Sequence, residues 1–178
     1  RAQRLQDAAA AVYVLTSEDI RRSGATNIPE ALRLVPGVHV ARIDSNKWSV
    51  SVRGFTGRYA NKLLVLVDGR SVYTPLFSGV FWDLVRVPLN TIERIEVIRG
   101  PGATLWGANA VNGVINIITR SATASAGVHA MATTGSEDQG LLSLSVGSQL
   151  SAKTALRADA SISLIDGSAQ ATPDPRSA

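Results

Sequence analysis

The feature that most constrains the fold is a run of five apolar residues, Leu63–Val67, followed directly by Asp68 and Gly69. A strand that is apolar at every position must be covered on both faces, because successive side chains point to opposite sides of a sheet. Asp-Gly is the dipeptide expected at a tight hairpin turn. The sequence therefore predicts a central, doubly covered strand whose partner returns over residues 70–73.

Two short helices are predicted on the N-terminal side of this strand. Thr16 and Asp19 have the spacing of a capping box, and Gly24 suits the end of the helix that they begin. A second helix is predicted from Asn27 until Pro36, because asparagine caps helix starts and proline stops helices. The first part of the chain is thus expected to mix helices with strands.

Four further strands are predicted from apolar periodicity. Residues 38–41 and 49–52 alternate between valine and small or polar residues, which predicts two half-buried strands. Residues 92–98 and 114–119 are rich in isoleucine and valine and predict two more.

A different pattern begins near Ser121, where serine, alanine and threonine become frequent. Apolar residues alternate with small or polar ones over residues 142–147 and 156–164. Such strands are typical of an outer-membrane barrel, although any antiparallel sheet with one wet face alternates in the same way. The alternation near residues 153–165 is longer than the usual strand of about five or six residues, which favours the barrel.

Composition argues against several classes of site. The 178 residues include no cysteine and only two histidines, His39 and His129, which are far apart and are expected on strands. A thiolate metal site, a disulfide scaffold and a histidine-based triad are therefore not expected, and no catalytic residue or cofactor is predicted. The net charge of +4 comes from basic residues that are scattered singly, so no nucleic-acid partner is predicted either.

Four segments occur in unbroken order between residues 12 and 120: VLTSEDIRRSGATNIPEALRLVPGV, VRGF, LLVLVDGR and IERIEVIRGPGATLWGANAVNGVINIITR. Together they resemble the plug of TonB-dependent outer-membrane receptors, and the last segment is the most specific. The resemblance implies a small mixed sheet with short helices inside a barrel of about 22 strands. The expected fold class is an α/β plug domain followed by antiparallel β-strands of a truncated transmembrane β-barrel.

The resemblance also implies a domain organisation. Residues 1–11 are expected to be an N-terminal extension, residues 12–120 the plug, residues 121–166 the first barrel strands, and residues 167–178 a disordered tail or truncation end. Because so few residues come after the plug, the chain is expected to be part of a longer receptor. The first residues show no convincing copy of the TonB box, by which the family couples to its inner-membrane partner through strand addition.

Two aromatic segments are the predicted ligand-binding apices of the plug. The first places Arg58 beside Tyr59, and a guanidinium next to a phenol suits an anionic, aromatic ligand such as a ferric chelate. The second, residues 72–83, lacks the regular spacing of a core stripe. The predicted ligand contacts are Arg58, Tyr59, Tyr73, Phe77, Phe81 and Trp82. For the last three residues, filling of gaps against the barrel wall is the competing interpretation.

Four charged residues in the family's motifs are predicted to form ionic contacts between the plug and the barrel wall: Arg53, Glu93, Glu96 and Arg99. A pair of carboxylates for acid–base chemistry is not predicted. Glu93 and Glu96 are three residues apart and are expected on opposite faces of a strand.

The predicted function is the gating and ligand-binding plug of a TonB-dependent receptor that takes up a scarce nutrient, with a ferric siderophore as the expected ligand. Cobalamin, other metals and sugars are also carried by this architecture. The expected partners are the TonB complex of the inner membrane, an extracellular small molecule and outer-membrane lipid. The expected location is a Gram-negative outer membrane, with the plug facing the periplasm and the barrel lumen. The alternative is a free-standing periplasmic interaction domain that uses the plug fold.

Overall fold

The structure is a computed structural model, and it describes residues 11–43, 47–52, 62–74, 79–100, 106, 110–135, 139–152 and 154–164. The elements of these residues, in chain order, are β1 (Ala11–Thr16), α1 (Ser17–Ser23), α2 (Ile28–Leu32), β2 (Val38–Arg42), β3 (Trp48–Val52), β4 (Leu63–Val67), β5 (Arg70–Ser71), β6 (Ile92–Arg99), β7 (Gly113–Thr119), β8 (Gly127–Gly135), β9 (Gln139–Ser151) and β10 (Thr154–Leu164). Short 3-10 helices lie at Leu89–Thr91 and Thr123–Ser125. In this described part of the chain, no helix has the length and apolar character needed to cross a membrane.

Five strands form one mixed sheet in the order β1-β6-β7-β4-β5. Strand β6 pairs antiparallel with both β1 and β7, whereas β7 and β4 run parallel. The apolar run of β4 lies between β7 and β5, and its first four residues are buried. The predicted interior strand is therefore confirmed, although β7 occupies the middle of the sheet.

The turn between β4 and β5 has the geometry that its sequence predicts. Asp68 and Gly69 both have positive φ angles, 49° and 79°, as a tight hairpin turn of type I′ requires. The Asp68 carboxylate also accepts hydrogen bonds from the backbone N–H and the hydroxyl of Thr119, at 2.8 and 2.9 Å. The turn is thereby fixed to the end of β7, where the chain leaves the sheet.

The two faces of the five-stranded sheet support cores of different size. The main core includes Leu15, Val65, Ile95, Val97, Ile115 and Ile117, all with 0% exposure. Residues from α1, α2, the β2–β3 hairpin and the segment at residues 80–89 complete it. A smaller cluster on the opposite face consists of Leu64, Leu66, Ile98, Ala110 and Val114. Burial on both faces explains why β4 has no polar residue.

Helix α1 begins and ends where the sequence predicts. The Thr16 hydroxyl accepts a hydrogen bond from the Asp19 N–H at 3.2 Å, and the Asp19 carboxylate accepts one from the Thr16 N–H at 3.0 Å. Hydrogen bonds from Thr16 hold the pKa of Asp19 below its usual value. Gly24 comes directly after the helix with a φ of 68°, a conformation that glycine adopts without strain.

Replacing Thr16 with alanine should lower the free energy of unfolding by about 0.5–2 kcal/mol, because the first turn of α1 loses its side-chain cap. Denaturant unfolding of the chain in detergent measures this change. The control is Thr16→Ser, which keeps the hydroxyl and should unfold like the parent. Equal losses for both substitutions would contradict a capping role.

Helix α2 begins after Asn27, as predicted, but it is shorter than expected. It ends at Leu32 and not at Pro36. The N–H groups of Leu34 and Val35 bond to carbonyls three residues back, at 3.1 Å each, which is the tighter 3-10 pattern. The residue before a proline avoids the α conformation, which accounts for the change before Pro36.

Strands β2 and β3 form a separate antiparallel pair. Both were predicted to be half-buried, and for β3 this is wrong, because all five residues are buried. Ser49 and Ser51 are only 8% and 2% exposed. The alternation of valine and serine here reflects small buried side chains and not a face in water.

Strands β8, β9 and β10 form an antiparallel sheet in the order β10-β9-β8. Strands β9 and β10 contain 13 and 11 residues, so the prediction of unusually long strands is confirmed. His39 lies on β2 and His129 on β8, as expected.

Candidate functional site

The central strand of the three-stranded sheet, β9, exposes its apolar side chains and buries serines on its other face. On β9, Leu142, Leu144 and Val146 are 54%, 45% and 42% exposed, whereas Ser143 and Ser145 are 2% and 5% exposed. Further exposed apolar residues of these strands are Val128, Leu150, Leu156, Ile162 and Leu164. A sheet in water has the reverse arrangement. The exposed face is therefore suited to lipid.

A cavity of about 480 Å³ lies where this sheet meets the α/β unit. Its volume is in the range of small-molecule sites, about 300–1,000 Å³. It is bounded by residues 82–89, the start of α2, and parts of β8, β9 and β10. Because both units line the cavity, a movement of one against the other would change its shape.

Three of the predicted ligand contacts lie in the described part of the chain. Tyr73 and Phe81 are half-buried. Trp82 is only 5% exposed and belongs to the main core, although it also borders the cavity. The other three, Arg58, Tyr59 and Phe77, lie outside the described residues.

Trp82 is buried in the core although its segment lacks the regular spacing of a core stripe. The N–H groups of Leu84 and Val85 bond to the carbonyls of Phe81 and Trp82, at 3.1 and 3.3 Å, and the segment covers the main core without forming a helix or strand. Core residues show regular spacing only inside regular elements. Irregular spacing therefore did not exclude a core position.

Glu93 and Glu96 contact the same arginine. Arg94 donates from Nη1 to Glu93 Oε1 at 2.6 Å and from Nε to Glu96 Oε1 at 2.9 Å. The Arg94 guanidinium thus bridges the two carboxylates. The register of β6 against β7 shifts between Ile92 and Arg94, and such an irregularity interrupts the alternation of side chains.

Glu96 is the deepest of these charges, with 8% exposure. Its second carboxylate oxygen accepts a hydrogen bond at 3.2 Å from the side-chain amide of Asn116, which is directly opposite on β7. The hydrogen bond with Glu96 raises the pKa of Arg94 above its ordinary value. The bond between Glu96 and Asn116 joins two strands of the sheet.

Arg99 joins the end of β6 to the turn after α2. Its Nη1 donates to the carbonyl of Pro36 at 2.9 Å, and a Cβ at Gly37 would lie 3.3 Å from the same nitrogen. Arg53 lies outside the described residues. The hydrogen bonds described for Glu93, Glu96 and Arg99 lie within the α/β unit, and contact of these charges with a barrel wall stays a prediction.

Comparison with known families decides what this unit is. The sequence model of the TonB-dependent Receptor Plug Domain matches residues 4–114, more than half of the chain. The chain belongs to the TonB-dependent receptors. The resemblance drawn from its four motifs is confirmed, and so is the fold class, an α/β plug followed by antiparallel strands.

Curated relatives cover the plug and some of the residues after it. The vitamin B12 transporter BtuB of Vibrio vulnificus is 35% identical over 139 residues, which is 77% of this chain and 22% of that protein. The iron-regulated outer membrane virulence protein of Vibrio cholerae is 40% identical over 124 residues, 67% of this chain and 18% of the relative. The chain thus spans about a fifth of their length. These relatives are transport and outer-membrane proteins and not enzymes. The expectation that this chain belongs to a transport protein and not to an enzyme is therefore confirmed.

Solved structures of siderophore receptors are similar over most of the chain. The ferric enterobactin receptor of Pseudomonas aeruginosa has a TM-score of 0.63 at 29% identity, over 87% of this chain and 24% of the receptor. The ferric-catecholate import receptor Fiu of E. coli has a TM-score of 0.66 at 27% identity, over 87% and 21%. This coverage exceeds the plug match, so the likeness includes strands after the plug.

The plug also contains an aromatic residue that sequence reasoning missed. Trp48 is 8% exposed, borders the cavity, and has the guanidinium groups of Arg33 and Arg42 at 5.6 and 5.8 Å from its ring centre. These are cation–π distances. No sequence motif predicts this group, because Arg33 follows α2, Arg42 ends β2 and Trp48 begins β3. In the described residues, no group of three or more His, Asp or Glu side chains could hold a metal ion.

Removing Arg94, which pairs with the buried Glu96, should destabilise the plug. Arg94→Ala leaves the Glu96 carboxylate with only its bond to Asn116, and an uncompensated buried acceptor costs about 1–3 kcal/mol. The measurement is the free energy of unfolding in denaturant. The control is the double variant Arg94→Ala/Glu96→Gln, which should recover part of the loss because no charge is left unpaired. A double variant that is no more stable than the single one would exclude this explanation.

Proposed function

We propose that this chain is the gating and ligand-binding plug, with the first wall strands, of an outer-membrane receptor that takes up a ferric siderophore. The observation that carries the proposal is the inverted burial of β9, the central strand of the sheet next to the plug. Apolar residues such as Leu144 are exposed, and serines on the opposite face of the strand, such as Ser145, are buried. A plug inside a lipid-embedded wall requires this arrangement.

The choice of a ferric siderophore is supported by two kinds of relatives. The iron-regulated protein of Vibrio cholerae has the higher identity, 40%. The similar solved structures include receptors for ferric enterobactin and ferric catecholates. Vitamin B12 is the second candidate, because the Vibrio vulnificus transporter matches a larger share of this chain, 77%.

Uptake is proposed to proceed by binding at the plug apices, followed by a plug rearrangement that the TonB complex of the inner membrane drives. A ligand can shift the plug only through a difference in affinity between its two states. The energy for opening is therefore assigned to the partner complex, and no covalent bond of the ligand is broken.

The test of the ligand is uptake by the full-length receptor in a strain that lacks other receptors. A ferric catecholate should accumulate in the cells and cyanocobalamin should not. Accumulation of cyanocobalamin alone would favour the second candidate. Absence of both, with the receptor present in the membrane, would contradict the proposal.

The proposed apex is tested by replacing Arg58 and Tyr59 together with alanine in that receptor. Loss of a charge-assisted hydrogen bond costs about 1.5–3 kcal/mol, so affinity for the ferric catecholate should fall roughly tenfold to a hundredfold. The control is Arg21→Ala, which removes an exposed arginine of α1 that pairs with Glu18. Binding as tight as that of the parent would leave the segment from Tyr73 to Trp82 as the candidate apex.

A free-standing periplasmic domain is the alternative. Such a domain would place the exposed leucines of β9 in water, which is unfavourable. Fractionation of cells that express the gene distinguishes the two. Recovery of the protein in the soluble periplasmic fraction would support the alternative, and recovery in the outer membrane would contradict it.

A further inference from the structure

The linker between the plug and the strands β8, β9 and β10, which we call the wall strands, is an ordered segment. Residues 120–126 connect the end of β7 to the start of β8. They contain the 3-10 helix Thr123–Ser125, in which Ser125 is only 5% exposed. Its hydroxyl donates to the carbonyl of Ser121 at 2.8 Å, and the Ser121 hydroxyl accepts from the N–H of Ala124 at 3.2 Å. The linker is therefore an ordered element and not a loose tether.

The linker packs directly on the polar face of β9. A Cβ at Gly147 would lie 1.9 Å from the carbonyl oxygen of Ser125 and 3.3 Å from the nitrogen of Ala126. No side chain fits into that space, because real Cβ atoms essentially never approach backbone atoms so closely. Ser143 and Ser145 on the same face of β9 are also small and buried. Strand β9 thus provides a seat that only glycine allows at position 147.

A polar network from β10 closes over the linker. Arg157 donates from Nη1 to the carbonyl of Arg120 and from Nε to Asp159 Oδ2 at 2.9 Å. The other oxygen of Asp159 accepts a hydrogen bond from the Ser145 hydroxyl at 2.6 Å. Arg157 lies opposite Gly147 in the register of β9 and β10, and Asp159 lies opposite Ser145. We call Ser145, Gly147, Arg157 and Asp159, together with the linker that they contact, the linker clasp.

The N-terminal end of the plug is held differently. In the described residues, β1 pairs with β6 alone, in a ladder of six residue pairs. Strand β7, which leads into the linker clasp, lies in the middle of the sheet between β6 and β4. Release of β1 breaks one ladder, whereas release of β7 breaks two ladders and the linker clasp. Local opening begins where the fewest contacts must break.

We infer that the linker clasp is a fixed anchor, which keeps the C-terminal end of the plug on the wall while the N-terminal part rearranges. This inference rests on the proposed function of gated uptake. It predicts that the linker stays on the wall strands during uptake and that rearrangement of the plug starts at β1. Gly147, Arg157, Asp159 and Ser145 act as positioning residues for this anchor.

The experiment uses Ser125→Cys in the full-length receptor, in a background without other cysteines. The thiol replaces a buried hydroxyl of similar shape, so its reaction with a maleimide reports release of the linker. Labelling should be slow in resting cells and equally slow while the cells take up a ferric catecholate. Labelling that rises during uptake would overturn the inference, because the linker would then leave the wall.

A second arm tests the seat itself. Adding Gly147→Ala should raise the labelling rate at least about tenfold, because the open population of the linker increases. The matched control is Gly140→Ala on the same strand, where a Cβ would meet only the Leu164 Cβ at 3.9 Å, and labelling should stay at the parent rate. Equal rates for both alanine variants would overturn the inference.

Arg157→Gln is the variant to use if Gly147→Ala fails to reach the membrane. It removes the charge that bridges the linker and Asp159 and should also raise the labelling rate, and an unchanged rate would overturn the inference. Uptake is measured in the same cells with a ferric catecholate and with cyanocobalamin. Absence of both contradicts the proposed function, while the comparison at Gly147 and Gly140 still tests the linker clasp in the resting receptor.

Discussion

Replacing Ile115 with alanine should lower the free energy of unfolding of the plug by about 2–5 kcal/mol, the range for loss of a large buried aliphatic side chain. Ile115 is 0% exposed on the middle strand of the sheet. Val97 on β6 and Val65 on β4 flank it in register. The void that the substitution leaves therefore cannot be filled unless two neighbouring strands move. The loss should therefore be at the upper part of that range.

Denaturant unfolding followed by tryptophan fluorescence measures this change, because Trp48 and Trp82 are both buried in the same core. The control is Val111→Ala, just before β7, where the side chain is 48% exposed. It should change the free energy of unfolding by less than about 0.5 kcal/mol. If both variants unfold at the same denaturant concentration, Ile115 does not stabilise the plug in the way its burial indicates.

The parts of the fold that sequence predicts are those with local causes. The turn at Asp68 and Gly69 needs positive φ angles at two consecutive residues, and few dipeptides accept them. The cap of α1 depends on two side chains three residues apart, Thr16 and Asp19. The burial of β4 is a consequence of its own composition. In each case the residues that make the structure are neighbours in sequence, so a short pattern is sufficient.

The parts that sequence does not predict depend on contacts between distant residues. The burial of Trp82 results from a segment that folds over a core made by other elements. The register shift in β6, which lies beside the contacts of Arg94 with Glu93 and Glu96, depends on how β6 pairs with β7. Gly147 is one of fifteen glycines in the chain, and only the path of the linker over β9 distinguishes it. Each of these features depends on an element that is distant in sequence and packs beside the residue in the fold.

The candidate ligand site shows the same division. The family motifs identify the plug, because a long ordered set of residues is specific. They do not identify which aromatic residue contacts a ligand, since Tyr73, Phe81 and Trp82 occur within ten residues but differ in burial. Burial depends on how the segment crosses the core, and that path is set by tertiary packing.

The orientation of the three-stranded sheet gives the prediction that bears most directly on location. Replacing Leu144 with arginine should destabilise the folded receptor by about 2–4 kcal/mol, the cost of a basic residue at the middle of a membrane strand on its lipid face. Leu144 is near the middle of β9 and is 45% exposed. The measurement is the urea midpoint of the receptor refolded in lipid vesicles, together with its amount in the outer membrane.

Depth in the membrane provides the control for this prediction. Leu150 is on the same face of the same strand, one residue before its end, and is 65% exposed. Leu150→Arg should therefore cost only about 0–1 kcal/mol, because basic residues near the interface reach the headgroups. In water, both leucines would be exposed surface residues, and arginine at either position would change stability within about 0.5 kcal/mol. A large loss at Leu144 with a small one at Leu150 thus requires lipid around β9, and equal, small effects at both positions would contradict a membrane wall.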